Sequence, residues 1–210
     1  MSDNAAGAVY RSHDRTTLDR EYDNRSKVGE EEFQAFLRLC SDLSERARAS
    51  LRCELDVPYG ASGAEAMDLF IPDTHGPAPV EVFFHGGYWR MLDKRDFSYV
   101  AGGFVPHGRL TAVVNLNDTL RLGEHEVRRN SPFLLEPQLG VPLHLAVGGR
   151  EGDEYLRQSE LLVDAWTTTT CAPHLRVFDE DDHFSIRAQL GDPQSEVVLW
   201  MLEQRKPHGG

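Results

Sequence analysis

VEVFFHGGYW, residues 80–89, is the stretch of sequence that decides the fold. Its first half, Val80 to Phe84, is a nearly continuous apolar run, which is typical of a strand covered on both faces in a parallel sheet. The run ends at once in His85-Gly86-Gly87, where two glycines allow the backbone to turn tightly. An apolar strand that ends in such a turn predicts the carboxyl end of a buried strand, the edge at which α/β sheets bind ligands.

A helix and a second strand are predicted after this turn. Asp93 can cap the helix, and its apolar stripe recurs at helical spacing in Phe97, Val100, Ala101 and Phe104. Gly108 ends the helix, and the next apolar strand runs from Leu110 to Val114. The order strand, helix, strand predicts a βαβ unit in a mostly parallel sheet.

The residues before this unit predict an antiparallel start. Residues 1–30 are polar, and we interpret them as an N-terminal arm. Apolar residues at three- and four-residue spacing predict a helix over 31–48. The period then changes to two over 51–57, which predicts a half-buried strand. After a turn, the inward-facing positions continue in Met67, Leu69 and Ile71, so the two strands are expected to form an antiparallel hairpin.

The residues after the βαβ unit alternate again between strand and helix patterns. Strands are predicted over 141–147 and 175–178, with a helix over 155–166 between them. A last helix is predicted to begin with Asp192 as its cap and Pro193 in its first turn. This alternation predicts one α/β domain over residues 1–210, with a mostly parallel sheet as the middle of three layers.

The composition limits the partners that the protein can bind. Its 210 residues carry a net charge of −12, which argues against nucleic acid and anionic membranes, because both require Lys/Arg patches.

Cys40, Cys53 and Cys171 match no zinc or redox spacing, so we expect buried free thiols in a reducing compartment. No stretch approaches the length of a membrane span. We expect a cytoplasmic protein that uses no cofactor and no metal.

The glycine turn after the first apolar strand is the strongest chemical motif. Around Gly86, Gly87 and Tyr88, backbone N–H groups would face a concave edge, and such donors stabilise the oxyanion of acyl transfer. A histidine–glycine–glycine loop after the third strand is the oxyanion motif of lipase- and esterase-type hydrolases. The alternative is a tight turn that only packs its aromatic residues. The motif and its position at a strand end favour an oxyanion hole.

A histidine and two acids lie where a hydrolase carries the rest of its machinery. His183 follows the last predicted strand, where the base of a catalytic triad is found. Glu151 and Asp153 follow an earlier strand, and either can orient an imidazole. The alternatives are a surface histidine in an acidic loop, and acids favoured by the dipole of the following helix.

The chain has no G-x-S-x-G nucleophile elbow. Ser98 lies in a predicted helix, Ser131 precedes a proline in a loop, and Ser185 lies two residues after His183. None of these serines follows a strand in the strained turn that lifts a nucleophile over the sheet. Residues 116–140, where an elbow should fall, have little strand character.

Four stretches together indicate a family. They are LDREYDNR (18–25), HGGYWRMLDKRDFSYVA (85–101), VGGREGDEYLRQS (147–159) and DDHFSI (181–186). In these stretches the chain resembles the kynurenine formamidase (arylformamidase) branch of the α/β-hydrolases and its esterase-like bacterial relatives. The resemblance implies an α/β-hydrolase-type sheet and a serine hydrolase of aryl formamides or small carboxylic esters.

The resemblance also implies roles for individual residues. His183 takes the position of the catalytic base, and Glu151 that of the acid which orients it. Gly87 and Tyr88 take the positions of the oxyanion N–H donors, with Gly86 allowing the turn. We expect His85 and Trp89 to contact the substrate.

One large departure from the family concerns the centre of the sheet. Members continue from the strand Leu110–Val114 through a helix, the serine elbow strand, its helix and another strand. Here residues 117–121 already resemble the stretch that lies well after the serine, so about two βα units are missing. The strand Val80–Phe84 must then either pair with the strand over 141–147 or leave an open edge. An open edge can recruit a second copy of the chain.

Two classes of function follow from these residues. The first is a hydrolase-family protein whose activity is lost or impaired because the nucleophile is absent, unless Ser185, Ser98 or a second chain substitutes for it. The second is a non-catalytic module that binds an aromatic ligand or a protein partner. A metal site built from Asp181, Asp182, His183 and His85 is a weaker alternative, since no paired His or Cys spacing supports it.

Overall fold

The structure is a computed structural model of the chain, and it describes residues 8–10, 13–61, 65–86, 92–115, 132–136, 142–167 and 172–203. Strands and helices alternate along these residues, which confirms the predicted α/β class. Across the same residues, every helix is too short or too polar to cross a lipid bilayer.

The N-terminal residues form a short ribbon and three helices. These elements are Ala8–Tyr10 (β1), His13–Asp14 (β2), Arg15–Tyr22 (α1), Asn24–Val28 (α2) and Glu30–Ser50 (α3). Asp14 accepts a hydrogen bond from the backbone N–H of Thr17 and so begins α1, and Asp23 begins α2 in the same way. Much of the predicted polar arm is therefore helical, and the helix predicted over 31–48 is confirmed as α3.

A mixed four-stranded sheet forms the larger part of the fold. Its strands are Cys53–Pro58 (β3), Ala66–Phe70 (β4), Val80–Phe84 (β5) and Leu110–Val114 (β6), in the order β3-β4-β6-β5. β3 and β4 are antiparallel, which confirms the hairpin, and β5 and β6 are parallel, which confirms the βαβ unit. The crossover is a 3₁₀ helix, Lys94–Val100, continued by Ala101–Phe104 (α4), and Asp93 caps it as predicted.

A second, two-stranded sheet lies in the C-terminal part. His144–Gly148 (β7) and His174–Phe178 (β8) are parallel, and the helices are Asp153–Trp166 (α5), Ser185–Ala188 (α6) and Glu196–Glu203 (α7). Within the described residues β7 pairs only with β8, and β5 pairs only with β6. The main described strands therefore divide into two sheets, and of the two alternatives predicted for β5 the structure shows the open edge rather than pairing with β7.

The hydrophobic core lies between α3, the Lys94–Val100 crossover and the inner strands. Phe70, Tyr99, Val100, Val113 and Val198 are almost completely buried there. Val113 lies on β6, which has strand neighbours on both sides. Because β6 is also covered on both faces, it is the strand that most resembles the centre of a larger α/β sheet.

The described cysteines are free thiols, as predicted. Cys40 is buried on the inner face of α3, and Cys53 is half-buried at the start of β3. Burial raises the pKa of the Cys40 thiol to about 11, because the charged thiolate is disfavoured away from water. Cys171 lies outside the described residues.

The prediction that the strand 80–84 is covered on both faces is wrong. β5 is an edge strand, and Val80, Val82 and Phe84 are 52%, 53% and 60% exposed. Only the opposite face is buried, where Glu81 forms an ion pair with Arg109 at 2.8 Å. Since the described elements leave one face of β5 uncovered, its alternate side chains form an apolar stripe on the surface.

The inward-facing positions of β4 also differ from the prediction. Ala66, Asp68 and Phe70 are buried, whereas Met67 and Leu69 are only half-buried. Asp68 can lie inside because its carboxylate forms an ion pair at 2.8 Å with Lys94, and these two side chains are 1% and 3% exposed.

Lys94 has a second acidic partner, Asp56, at 2.6 Å. The backbone N–H of Asp56 also donates to the Asp68 carboxylate, at 2.9 Å. Burial alone would lower the pKa of Lys94, but the hydrogen bonds to Asp56 and Asp68 outweigh it and raise that pKa above its ordinary value. The cluster thus holds a charged ammonium in the interior.

The last helix begins later than predicted. Asp192 accepts a hydrogen bond from the N–H of Gln194 and closes a turn, whereas α7 begins at Glu196. The hydroxyl of Ser195 accepts from the N–H of Val198 and takes the capping role. The sequence pattern left the start of this helix ambiguous, because Asp192 and Ser195 are both residue types that cap helices well.

Candidate active site

A histidine and a carboxylate form the centre of the candidate site. The Nδ1–H of His183 donates to Oε2 of Glu151 at 2.6 Å. The other carboxylate oxygen of Glu151 accepts from the backbone N–H of Gly148 at 2.8 Å. Glu151 is buried, whereas the His183 side chain is 30% exposed. This bond fixes the ring so that Nε2 is the nitrogen left to accept a proton.

The ends of β7 and β8 bring this pair together. Gly148 and Phe178 are opposite each other at the carboxyl ends of the two strands. The loop after β7 is then tied to the loop after β8, because the N–H of Gly149 donates to the carbonyl of Phe178 at 2.8 Å and that of Arg150 donates to Asp181 at 2.9 Å. Two glycines are needed here, since a Cβ at either position would collide with the backbone of the opposite loop.

The structure distinguishes between the two acids predicted from the sequence. Glu151 contacts His183, whereas Asp153 lies exposed in the first turn of α5, where a helix dipole favours an acid. The two predicted serine substitutes lie in other contacts. Ser185 donates to Asp181 at 2.7 Å, and Ser98 is completely buried and accepts a hydrogen bond from Arg48.

The acidic loop before His183 has internal partners as well. Asp182 accepts hydrogen bonds from the N–H groups of Phe184 and Ser185, and Asp181 accepts one from Gln189. These bonds shape the loop and begin α6. Across the part of the chain that the structure describes, no group of three or more His, Cys, Asp or Glu side chains is arranged to hold a metal ion.

The oxyanion side of the site is described only at its start. His85 is buried and stacks on Phe97, with its ring nitrogens 2.7 Å from the carbonyl oxygen of Gly86 and 3.2 Å from Oδ1 of Asn115. Contact between His85 and a substrate would require these bonds to break. The predicted oxyanion donors Gly87 and Tyr88, and the predicted substrate contact Trp89, lie outside the described residues.

Aromatic rings surround the histidine. The His183 ring lies 5.4 Å from the ring of Tyr155 and 5.5 Å from that of Phe184. Tyr155 in turn contacts the N-terminal helices, because its hydroxyl accepts a hydrogen bond from Asn24 at 2.7 Å and its ring lies 5.7 Å from that of Tyr22. The helices α1 and α2 therefore form part of the wall of the site.

Lys27 connects the same helices to the acid loop. Its ammonium donates to the backbone carbonyl of Glu151 at 2.6 Å and to that of Glu21 at 2.5 Å. Gly152 makes this approach possible, because its φ of +121° is in the region that favours glycine and a Cβ would lie 2.7 Å from the ammonium. Lys27 is thus a positioning residue for the loop that carries Glu151.

Lys27→Met is expected to lower the free energy of unfolding by about 2 kcal/mol, because a charged donor to two backbone carbonyls is lost. Amide hydrogen exchange should accelerate over residues 148–152. Urea denaturation and hydrogen-exchange mass spectrometry measure the two effects. Arg38→Met, at an exposed position of α3, is the matched control, and equal behaviour of the two variants would contradict the assigned role.

A cavity of 250 Å³ lies between the two sheets. Its walls include Val82 and Phe83 of β5 and Ala146 of β7, together with Arg187 of α6.

Arg187 lies at one end of this cavity, close to both halves of the site. Its Nε donates to the carbonyl oxygen of His183 at 2.9 Å, and one terminal nitrogen lies 3.9 Å from where a Cβ on Gly86 would be. The guanidinium also lies over the rings of Phe36 and Phe184, at 5.3 Å and 5.2 Å from their centres. It therefore occupies space between the histidine loop and the glycine turn.

Sequence reasoning missed Asn24, Lys27, Tyr155 and Arg187. A signal was present for Asn24 and Tyr155, because they lie in two of the stretches that carry the family resemblance, LDREYDNR and VGGREGDEYLRQS. A hydrogen bond joins these two residues, which lie 131 positions apart in the sequence. Arg187 directly follows the stretch DDHFSI, and no local pattern marks it.

Comparisons with known proteins find similarity to kynurenine formamidases. Over 138 residues the chain is 28% identical to a kynurenine formamidase of Danio rerio, a match that covers 63% of this chain and 46% of that protein. Over 72 residues it is 35% identical to a kynurenine formamidase of Salmo salar, covering 34% of this chain and 24% of that protein. The chain thus spans less than half the length of these curated relatives. No family model matches it.

A solved structure has the same fold. The crystal structure of a protein from Silicibacter sp. TM1040, assigned provisionally as a thioesterase, matches with a TM-score of 0.63 at 19% identity. The match covers 87% of this chain and 97% of that chain. At this identity the likeness concerns the α/β fold alone.

Proposed function

We propose that this chain, an α/β-hydrolase-like relative of kynurenine formamidase at low sequence identity, binds aryl amides or small esters in the cleft beside His183 and hydrolyses them poorly or not at all. The observation that carries the proposal is the hydrogen bond of 2.6 Å between His183 and Glu151, in a chain without a serine elbow. The acid–base half of a hydrolase site is present among the described residues, whereas the sequence carries no G-x-S-x-G elbow to supply the nucleophile.

The chemistry of the pair supports this proposal. With Nδ1–H held by Glu151, Nε2 of His183 can take a proton from a hydroxyl and later return it to a leaving amine or alcohol. Glu151 orients the ring and stabilises the imidazolium that forms. Acyl transfer also requires a nucleophile within hydrogen-bond reach of Nε2. The hydroxyl of Ser185 donates to Asp181, and that of Ser98 is completely buried and accepts from Arg48, which argues against either serine as the nucleophile.

The test is hydrolysis of N-formylkynurenine and of a p-nitrophenyl ester by the full chain, compared with His183→Ala. We expect no turnover that depends on His183, because a general base without a nucleophilic hydroxyl beside it has no group from which to take a proton. His75→Ala, at an exposed position on the β4–β5 connection, is the matched control. A cooperative thermal melt of all three proteins confirms that each is folded.

Turnover that is lost in His183→Ala and kept in His75→Ala would contradict the proposal. It would mean that another nucleophile reaches Nε2, and covalent trapping with a fluorophosphonate followed by peptide mapping would identify it. A slow rate equal in all three proteins is consistent with the proposal, since bound substrate can be hydrolysed by water without a triad.

The second candidate function is a non-catalytic module that binds an aromatic ligand. The observation that favours it is the aromatic wall, in which Phe33 and Phe36 lie within 5.3 Å and 5.1 Å of Phe184, which in turn contacts His183. Rings at these distances can accept a further ring by edge or offset stacking. Saturable binding of an aryl ligand that persists unchanged in His183→Ala would favour this function over an impaired hydrolase.

A further inference from the structure

Arg187 has more hydrogen-bond donors than the structure uses. A guanidinium carries five N–H groups, and only the one on Nε of Arg187 has an acceptor among the described residues, the carbonyl oxygen of His183. Described carboxylates form ion pairs with other arginines, such as Arg109, Arg150 and Arg176, but not with Arg187. Arg187 is thus half-buried without a carboxylate partner among the described residues, in a chain of net charge −12.

The acids near Arg187 are engaged elsewhere. Asp182 accepts from two backbone N–H groups, and Asp181 accepts from Ser185 and Gln189. Glu81 lines the same cavity, but it is paired with Arg109. Glu81 also lies five residues before Gly86, roughly 15 Å away along extended backbone. The terminal N–H groups of Arg187 are therefore available to a ligand.

The guanidinium is also held in place. Phe36 and Phe184 lie 5.3 Å and 5.2 Å from it, distances at which an aromatic ring attracts a cation. Together with the Nε hydrogen bond, these contacts restrict the position of the group between the histidine loop and Gly86. A fixed planar fork loses little entropy when it binds a carboxylate through two parallel hydrogen bonds.

We propose that Arg187 is a binding site for the carboxylate of a small aromatic acid, with the aryl group of that acid in the cavity between β5 and β7. The cavity measures 250 Å³, and its walls are mainly apolar, with Val82, Phe83 and Ala146 among them. An apolar cavity with one directed cation selects an apolar body that carries one negative charge. The inference rests on the proposed function in one respect, because both place the ligand in the cleft beside His183.

The test compares phenylacetate with phenylacetamide, which has the same shape without the charge. Binding to the full chain is followed by ¹⁵N NMR, including the Nε–Hε signal of Arg187. The experiment measures binding and does not depend on turnover. We expect phenylacetate to bind at least about tenfold more tightly than the amide, because charge-assisted bidentate bonds are made only to the acid. The Nε–Hε signal should shift with the acid alone.

Three variants complete the experiment. Arg187→Gln should abolish the preference for the acid, and Arg187→Lys, which keeps the charge and most of the packing, should retain part of it. Arg95→Gln, at an exposed arginine paired with Asp56, should leave the preference unchanged. Equal binding of acid and amide, no binding of the acid, or a preference that survives Arg187→Gln would each overturn the proposal. None of these outcomes depends on whether the chain hydrolyses anything.

Discussion

Lys94→Met is expected to lower the free energy of unfolding by about 3–5 kcal/mol, the usual cost of removing one partner of a buried ion pair. The methionine fills most of the space of the lysine stem, so the loss comes from charge. Asp68 is 1% exposed and would keep a carboxylate in the interior without its cation. Chemical denaturation followed by circular dichroism measures the change.

Two further variants separate the buried partner from the exposed one. Asp56→Asn should have little effect, because that side chain is largely in water even though it bonds to the same ammonium. Combining Asp68→Asn with Lys94→Met should recover much of the lost stability, since the uncompensated charge is then gone. A loss below about 1 kcal/mol for Lys94→Met would contradict a role for this pair in stability.

The pH dependence of this cluster has a definite sign. The pKa of Lys94 is raised in the folded protein, so the folded state binds its proton more tightly than the unfolded state. The resulting stabilisation is fully present below the lysine pKa of the unfolded chain, about 10.4. It is lost as the pH rises through the higher pKa of the folded state. The wild-type chain, but not Lys94→Met, should therefore lose this contribution in the alkaline range.

Gly148→Ala is expected to lower the free energy of unfolding by about 3 kcal/mol and to separate His183 from Glu151. A Cβ on Gly148 would lie 2.5 Å from the carbonyl oxygen of Asp181 and 2.9 Å from its carbon. Both atoms belong to the backbone of the histidine loop, which must move to relieve the overlap. Urea denaturation measures the stability, and the low-field imidazole N–H resonance of His183 reports the hydrogen bond to Glu151.

Gly86→Ala is the control for this substitution. Among the described residues, a Cβ there would meet only a terminal nitrogen of Arg187, at the ordinary contact distance of 3.9 Å. Its effect on stability should be small, and the His183 resonance should stay in place. An unchanged resonance in a folded Gly148→Ala protein would contradict the view that close contact between the two loops sets the geometry of the pair.

Local patterns predicted the elements whose burial depends on local neighbours. The spacing of Phe33, Phe36 and Cys40 was sufficient for α3, and the apolar run 110–114 was sufficient for β6. The same reasoning was wrong for β5, since Val80, Val82 and Phe84 have the composition of a covered strand. Whether such a strand is covered depends on segments elsewhere in the chain, which its own residues do not encode.

The residues of the candidate site likewise divide into those that local sequence predicts and those that it does not. Position after a strand was enough to select His183 and to restrict the acid to Glu151 or Asp153, because strand ends meet at one edge of a sheet. The choice between Glu151 and Asp153 depends on the path of the loop after β7, which the sequence does not show. Lys27 and Arg187 could not be found from local sequence, because their roles consist of contacts with residues far away or with backbone atoms.

The division of the strands into two sheets has a consequence for dynamics. His183 and Glu151 both follow strands of the β7–β8 pair, whereas the glycine turn at Gly86 follows β5 of the other sheet. No described backbone ladder joins the two sheets, so each is a candidate for a separate cooperative unit of opening, or foldon. A breathing motion between them would change the distance from imidazole to glycine turn while leaving the acid–base pair intact. The width of the cleft, rather than the state of the pair, is then the quantity that a bound ligand would control.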